Sequence, residues 1–316
     1  MLPPGHITVD AFSIDSQSRW YVAGSSDIDN KPTLWRVAST LDSYEIIAEG
    51  DRLIDVQVTL DGSNVFAVTA NSAIRSYHTD VKDTFDIIEP EDASFSWSGV
   101  AYDDSSNTLY ATASKKNVVY QYTKIGDSWS SRTLVAGKPS FEASDGADGL
   151  DTPTVVRWHD GFLFIRVHSG NDGIWQWKPF DSEATQTFTD IYVYGSRGLA
   201  ISPDNYVYYS KTNNKVYRKP IVNPPIGPGE IFAGACGCGS APNQFCNSKN
   251  SNLVTFLPSG QIIIQDYPDL YGNPDDLRYR WVSWDPEKLP IPACSSSTTT
   301  TSGPVTSTTT TSGPVT

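Results

Sequence analysis

The chain of 316 residues is poor in several residue types, and these shortages exclude whole classes of protein. It has one methionine, four histidines and four cysteines, and no apolar run long enough to cross a bilayer. Basic residues number 23 against 36 acidic ones, which gives a net charge of -13. That charge would repel nucleic-acid phosphates and anionic lipid surfaces. We therefore expect no nucleic-acid partner and no membrane span.

Aromatic residues, glycine and proline are abundant instead. Aromatic residues make up 12% of the chain, beside 23 glycines and 21 prolines. This composition is typical of short strands joined by tight turns rather than of helices. The sequence therefore predicts an all-β fold, and its length is sufficient to bury a sizeable core.

The four cysteines, an even number, indicate an oxidising compartment. Three of them lie within eleven residues, and the set is Cys236, Cys238, Cys246 and Cys294. We expect two disulfides, in any of three connectivities. A zinc site is disfavoured because the Cys-Gly-Cys pair has no matching second pair and no nearby histidine. Disulfides predict an extracellular or cell-surface protein, although the start, MLPPGHITVDAF, does not resemble a signal peptide.

The C-terminal segment differs in composition from the rest. From Ser295 onward it consists of serine, threonine, glycine, proline and valine, with the decapeptide STTTTSGPVT at 297–306 and again at 307–316. Nothing in it could build a core, so we interpret 295–316 as a disordered linker or stalk of the kind that carries O-glycans. Residues 1–294 form the predicted folded domain.

A repeated unit runs through that domain. The clearest copy is GLAISPDNYVYYSKTNNKVYRKP at 198–220, which contains three strands separated by polar turns, and five other segments follow the same plan. A fourth strand ending in small residues, such as EIIAEG, RTLVAG or EIFAGA, lies between units. Four-stranded units at a spacing of roughly 45 to 55 residues predict a six-bladed β-propeller. We expect the N-terminal strand GHITVD to close the ring beside RYRWVSW, and the closed ring to be a monomer.

One column in the third strands is nearly all aromatic. Its members are Trp35, Arg75, Tyr120, Trp175, Tyr217 and Trp281. We interpret the column as packing between neighbouring blades, with sugar stacking as the alternative.

Units of the form RTLVAG, followed by a Gly/Asp-rich loop, a strand, an Asp-Gly turn and another strand, resemble NHL-repeat propellers. Residues 132–177 and the stretch from EIFAGACGCG to IIIQD show this pattern best. The stretch GLAISPDNYVYYS also resembles the SMP-30/gluconolactonase-like propellers. The second resemblance implies a calcium-dependent lactonase or esterase with its metal at the mouth of the central tunnel.

The starts of the first strands line that mouth, and they supply the candidate ligand-binding residues. In addition to Ile54, these are Asp10, Ser98, Thr154, Arg197 and either Ser251 or Asn252. The resemblance implies a metal held by Glu, Asn and Asp, with Asp10 at the place of the Glu. This sequence departs from that set. Arg197 stands where an Asn is expected, and Ser251 or Asn252 stands where an Asp-Gly pair is expected.

The stretch ASDGADGLD offers a second candidate metal site. Its carboxylates, Asp145, Asp148 and Asp151, are separated by glycines in a connection between two blades. They lack the spacing of an EF-hand, but three carboxylates on one loop could hold a calcium ion.

Long insertions at 138–153, 236–251 and 267–277 all belong to connections that emerge on one face of a propeller. Elaborated loops on a rigid scaffold usually carry the binding site. The leading hypothesis is therefore an extracellular propeller that binds a protein or glycan through this face, and the metal-dependent hydrolase is the alternative.

Overall fold

The computed structural model describes residues 7–26, 31–40, 42–143, 149–168, 173–184, 186–188, 198–211, 215–222, 229–234, 253–266 and 280–284. In these residues the protein is all-β apart from one short 3-10 helix, Ser114–Lys116. No helix in the described part is long and apolar enough to cross a membrane.

The strands form six antiparallel sheets in chain order. The first contains β1 (Ile7–Ile14), β2 (Trp20–Ser26), β3 (Pro32–Val37) and β4 (Tyr44–Glu49). The second contains β5 (Leu53–Val58), β6 (Asn64–Thr69), β7 (Ile74–His78) and β8 (Phe85–Glu89). The third contains β9 (Trp97–Asp103), β10 (Thr108–Ala113), β11 (Val118–Ile125), the short β12 (Ser128–Trp129) and β13 (Thr133–Gly137).

The remaining sheets follow the same order. The fourth contains β14 (Pro153–His159), β15 (Phe162–Val167), β16 (Gly173–Trp177) and β17 (Gln186–Phe188). The fifth contains β18 (Leu199–Ile201), β19 (Tyr206–Lys211), β20 (Lys215–Pro220) and β21 (Glu230–Ala233). The sixth contains β22 (Val254–Phe256), β23 (Ile262–Asp266) and β24 (Arg280–Trp284).

The sheets are arranged as the blades of a propeller. The first strands β1, β5, β9, β14, β18 and β22 contact one another in that order, and β22 contacts β1. The prediction of an all-β propeller with mostly four-stranded antiparallel blades is confirmed. The count differs from the prediction of six complete blades: the described residues contain five, and the last sheet has three strands.

The predicted closure by the N-terminal strand is wrong for the residues that the structure describes. Ile7, Thr8 and Val9 pair with β2 in the first sheet and not with β24. The physical reason is a bulge at Asp10, which lets β1 continue from Ile7 to Ile14 where the sequence was divided into two strands. The first and last sheets instead meet through packing of Phe12 against Leu253 and Ile263 and their neighbours.

The repeat is visible in the strand irregularities. In each of the first four blades, the first strand has a bulge at the equivalent position, where one residue is left out of the pairing with the second strand. The bulged residues are Asp10, Ile54, Ser98 and Thr154. The fourth strands skip one residue as well, and there the residues are Ile47, Ile88, Val135 and Phe232. Equivalent bulges show that the sequence register of these blades is the structural one.

The fourth-strand bulges also link neighbouring blades. The backbone N–H of Asp83 donates to the carbonyl of Ile47 at 2.7 Å, and that of Phe180 donates to Val135 at 2.9 Å. Asp83 and Phe180 both lie between a third and a fourth strand and have positive φ angles of 56° and 72°. The bulged residue is unpaired in its own sheet, so we infer that its carbonyl is available to the next blade.

Three aromatic rings of the third-strand column are buried, whereas Arg75 and Tyr217 are half-buried. Trp35, Tyr120 and Trp175 expose 3%, 7% and 3% of their surfaces and contact neighbouring sheets. Tyr217 stacks on Tyr209 in its own sheet, and Arg75 forms ion pairs. Rings this deeply buried pack between blades and offer no surface to a sugar.

Buried tyrosines predict a loss of stability at alkaline pH. Burial, helped by nearby aspartates, raises the pKa values of Tyr21 and Tyr110 to about 12. The unfolded chain loses these protons near pH 10, so their contribution is complete below about pH 10 and declines as pH rises toward 12. Urea unfolding between pH 8 and 12 should show this decline, and a smaller one for Tyr110→Phe. Constant stability across that range would contradict it.

Candidate functional site

We call the face that carries the fourth-to-first and second-to-third strand connections the loop face, and the opposite face the turn face. Strand topology places 50–52, 90–96, 114–117, 138–143 and 149–152 on the loop face. The described connections of the loop face are tied down by hydrogen bonds. Gly50 N–H donates to Pro32, Ala70 N–H to Arg52, and Asp92 N–H to Ser72.

The central tunnel contains an ion pair that spans three blades. Arg157 on β14 donates from Nη1 and Nη2 to the two carboxylate oxygens of Asp55 on β5, at 3.0 and 3.2 Å. Between them, the backbone of Val100 on β9 donates to Asp55 at 2.9 Å and accepts from Arg157 at 3.2 Å. A contact that skips a blade can only cross the tunnel. The two side chains are 10% and 19% exposed, so the pair is largely removed from water.

A second polar contact joins the first two blades inside the ring. Ser13 Oγ on β1 accepts from the Val58 N–H at 3.2 Å and from Gln57 Nε2 at 3.4 Å. Polar side chains thus occupy the tunnel beside the first four blades.

Asp10, a predicted ligand-binding residue, is paired at that mouth. Arg52 donates to it from Nη2 at 2.8 Å and from Nε at 3.2 Å. Asp10 is 13% exposed, whereas Arg52 is 63% exposed. The hydrogen bond and charge of Asp10 raise the pKa of Arg52 above its ordinary value. Asp10 is therefore engaged by a cation of the protein itself, and Arg52 presents a fixed guanidinium to solvent.

A second group of charged residues is centred on Asp51, which precedes Arg52 in the chain. Arg75 pairs with Asp51 and reaches Glu91 at 3.5 Å, and the hydroxyl of Tyr77 donates to Asp51 at 3.2 Å. Burial, followed by the Asp51 charge, raises the pKa of Tyr77 above its ordinary range. Arg75 also lies over the ring of Phe85 at 4.4 Å. These contacts tie the connections before and after the second blade to its third strand.

The loop face of the third blade combines aromatic rings with cations. Lys116 Nζ lies 5.6 Å from the ring of Phe95 and 5.4 Å from that of Phe141, and Arg132 lies over Phe95 at 4.3 Å. Phe95 is 7% exposed, whereas Phe141 is 39% exposed and has a positive φ of 61°. Phe141 therefore presents apolar surface on the same face as Arg52.

Asn117 holds both ends of the long connection that contains Phe141. Its Nδ2 donates to the Phe141 carbonyl at 3.1 Å, and its Oδ1 accepts from the Thr152 N–H at 2.9 Å. One amide side chain therefore fixes the base of the connection that includes ASDGADGLD. Of its three carboxylates only Asp151 is described, and it accepts from the Thr152 hydroxyl at 3.0 Å. Asp145 and Asp148 lie outside the described residues.

The other predicted site residues have the following places. The Ser98 hydroxyl contacts Thr112 Oγ1 at 2.9 Å and donates to the Pro153 carbonyl at 2.8 Å, which joins the third and fourth blades. The Thr154 hydroxyl donates to the Arg166 carbonyl at 3.4 Å. Outside the described residues lie Arg197, Asn252, Cys236, Cys238, Cys246 and Cys294. Where the structure describes side chains, no group of three or more His, Cys, Asp or Glu residues is arranged to hold a metal ion.

Sequence reasoning missed Arg52, Asp55 and Arg157. Two signals were present, because Asp55 and Arg157 are charged residues inside the otherwise apolar strands LIDVQV and PTVVRWH. A charge at a tunnel-facing position requires a partner when it is buried. The identity of the partner, 102 residues away, could not be read from either strand.

No protein-family model and no curated protein matches the chain. Several solved structures are similar to it. A structural genomics protein of unknown function from Bacteroides thetaiotaomicron has a TM-score of 0.53 at 12% identity, over 82% of this chain and 66% of that one. The present chain thus spans just under two thirds of that protein.

Two further similar structures belong to protein assemblies. The nidogen/laminin complex has a TM-score of 0.53 at 13% identity, over 67% of this chain and 76% of that one. The mitotic checkpoint complex has a TM-score of 0.52 at 10% identity, over 90% of both chains. At these identities the similarities show the β-propeller fold.

Proposed function

We propose that the protein is a propeller that binds a partner protein through its loop face, outside the cell or at its surface. The observation that carries this proposal is Arg52. Its guanidinium is 63% exposed, is oriented by Asp10 and lies at the tunnel mouth of a chain with a net charge of -13. A planar donor held in this way suits a carboxylate or backbone carbonyl of a partner.

Other residues, around the third blade, also support a protein partner. The exposed ring of Phe141 and the cations Lys116 and Arg132 provide the mixture of aromatic and arginine surface that is enriched at protein interfaces. The similar structures from the nidogen/laminin and mitotic checkpoint complexes are themselves from protein assemblies, which agrees with this proposal.

Charge reversal on each face tests the proposal. Peptides displayed on phage would be selected against the whole chain, and their affinities measured by calorimetry. We expect Arg52→Glu to weaken selected peptides at least about tenfold, because it repels the carboxylates that Arg52 attracts. The matched control is Lys178→Glu, an exposed lysine on the turn face.

Affinity that survives Arg52→Glu but falls with Lys178→Glu would place binding on the turn face and contradict the proposal. Circular dichroism of both variants should match that of the parent chain, because the Asp10–Arg52 pair is mostly solvent-exposed on the arginine side and contributes about 1 kcal/mol or less.

We also propose that the ring has six blades and that β22, β23 and β24 belong to the sixth. The contacts of β22 with both β18 and β1 support this proposal.

A further inference from the structure

The connection between the third and fourth blades contains two strained residues on the loop face. Phe141 and Thr152 have φ angles of +61° and +48°. A positive φ is uncommon for residues other than glycine, and it is unfavourable for an aromatic or β-branched residue. Such a backbone conformation persists only where its surroundings hold it, and it occurs most often at binding and catalytic sites.

Asn117 holds both strained residues. Its Nδ2 donates to the Phe141 carbonyl at 3.1 Å, and its Oδ1 accepts from the Thr152 N–H at 2.9 Å. Asn117 itself has a φ of +55°, which asparagine adopts more readily than most residues. The Phe141 N–H donates in addition to the Lys138 carbonyl at 2.9 Å. Both backbone polar groups of Phe141 are therefore engaged, which fixes the direction of its Cα–Cβ bond.

Burial does not explain why this ring is held. Phe141 exposes 39% of its surface, compared with 7% for Phe95 in the same blade. A half-exposed ring gains less free energy from burial than a core ring does. Packing in the core therefore does not offset the strained backbone, and the chain keeps an aromatic surface directed outward on the loop face.

The ammonium group beside this ring has no counter-ion in the part of the chain that the structure describes. Lys116 Nζ lies 5.4 Å from the Phe141 ring and 5.6 Å from the Phe95 ring, and no described carboxylate forms an ion pair with it. Hydrogen bonds from Ser94, followed by the charges of nearby cations that include Lys116, lower the pKa of Asp92. Lys116 is half-buried, so its ammonium group remains accessible to a carboxylate of another molecule.

We propose that Phe141 and Lys116 form one contact site, which takes a partner segment that carries an acidic side chain next to an apolar one. This inference rests on the proposed binding through the loop face. The carboxylate pairs with Lys116, and the apolar side chain packs on the Phe141 ring. Charge complementarity favours this occupant, because the ammonium group lacks a counter-ion among the described residues and aromatic rings are frequent anchors of interfaces.

Asn117 is a positioning residue for this site. It contacts the backbone of Phe141 and of Thr152, and it acts on the partner through them. A loop that is already held in its binding conformation loses less conformational entropy when the partner arrives. The Asn117 amide therefore contributes to affinity by ordering the connection before binding.

Removal of the ring tests the contact site. With peptides selected on phage against the whole chain, we expect Phe141→Ala to weaken binding at least about tenfold in calorimetry. The matched control is Phe180→Ala on the turn face, since Phe180 has a φ of +72° and a ring that is 64% exposed. The control should bind as tightly as the parent chain. If Phe141→Ala weakened binding no more than Phe180→Ala does, the inference would be wrong.

Removal of the charge tests the chemistry of the partner. Lys116→Met keeps the length of the side chain and should weaken the selected peptides about threefold or more, with the loss becoming smaller as salt is added. The peptides themselves should carry aspartate or glutamate next to an aromatic or aliphatic residue. Peptides without acidic residues, or a loss that salt leaves unchanged, would contradict the assigned occupant.

The role of Asn117 has a test that needs no partner. Asn117→Gly removes the amide and keeps the freedom to adopt a positive φ. Chymotrypsin, which cleaves after phenylalanine, should cut after Phe141 at least about tenfold faster in this variant, because the connection opens more often. Cleavage after Phe180 should keep its rate, which shows that the fold is intact. Unchanged cleavage after Phe141 would show that Asn117 does not position it.

The results separate this inference from the proposed function. If Arg52→Glu weakens the peptides and Phe141→Ala does not, binding uses the loop face without this site, and the inference alone fails. If only Lys178→Glu weakens them, binding is on the turn face, and the proposed function and the inference fail together.

Discussion

Replacing Arg157 with methionine should destabilise the propeller by about 3 to 5 kcal/mol, because it leaves the Asp55 carboxylate in the tunnel without its charged partner. Methionine keeps much of the volume, so little of this loss reflects a cavity. Among the residues that the structure describes, only the Val100 N–H would still donate to Asp55. Urea unfolding followed by tryptophan fluorescence would measure the change.

Two controls separate charge pairing from the loss of an arginine in general. The double variant Asp55→Leu/Arg157→Met should recover most of the stability, since an apolar pair of similar volume avoids the cost of desolvating two charges. Arg52→Met removes the exposed arginine of the Asp10 pair and should cost about 1 kcal/mol or less. If Arg157→Met were as mild as Arg52→Met, the tunnel pair would be solvated and would not hold the blades together.

The repeat could be predicted from the sequence because each blade is a local unit. Every blade repeats the same pattern of alternating strand residues, turn residues and small residues at the end of the fourth strand. The pattern recurs about every 50 residues, so the strands of one blade can be assigned by comparison with another. The four positions assigned to tunnel-facing strand starts, Asp10, Ile54, Ser98 and Thr154, are the four bulged residues of the first strands. Local pattern was therefore sufficient to fix their register.

The N-terminal strand could not be predicted correctly from the same pattern. A strand that bulges at Asp10 has the same sequence features as two short strands separated by a polar residue. The choice between them depends on whether β2 is long enough to pair with both halves. It is, since Ser26 reaches Ile7. The length of a partner strand is a property of the assembled sheet.

The contacts of the candidate site could not be predicted from the sequence, and the ion pair in the tunnel shows why. Asp10 was predicted to bind a ligand because it occupies a strand start at the tunnel mouth, yet it pairs with Arg52 from the next connection. Asp55 and Arg157 come from blades that are not neighbours. Side-chain partners across the ring depend on the length and direction of each side chain, which blade periodicity does not specify.

Replacing Gly62 with alanine should cost roughly 2 to 4 kcal/mol, combining about 1 kcal/mol for a left-handed backbone with about 1 to 3 kcal/mol for overpacking. Gly62 lies in the turn between β5 and β6 with a φ of +75°. An added methyl group would collide with the Arg19 guanidinium and the Asp15 carboxylate, and would lie 2.6 Å from the Tyr21 hydroxyl.

Those neighbours cannot move freely. The Asp15 side chain is fully buried and accepts hydrogen bonds from the Gln17 and Arg19 N–H groups, both at 2.9 Å, and from the Tyr21 hydroxyl at 3.1 Å. The Tyr21 hydroxyl also contacts the Gly62 carbonyl at 3.0 Å. Displacing the cluster would break hydrogen bonds that join the first two blades.

Gly161 supplies the matched control for this prediction. It lies in the turn between β14 and β15 with a φ of +82°, and a methyl group there would meet no atom within 4 Å. Gly161→Ala should therefore cost only the backbone term, about 1 kcal/mol. The difference between the two variants in urea unfolding measures the rigidity of the Asp15 cluster. Equal losses would mean that Arg19 and Asp15 can rearrange around the methyl group, and that the contact between the first two blades on the turn face is pliable.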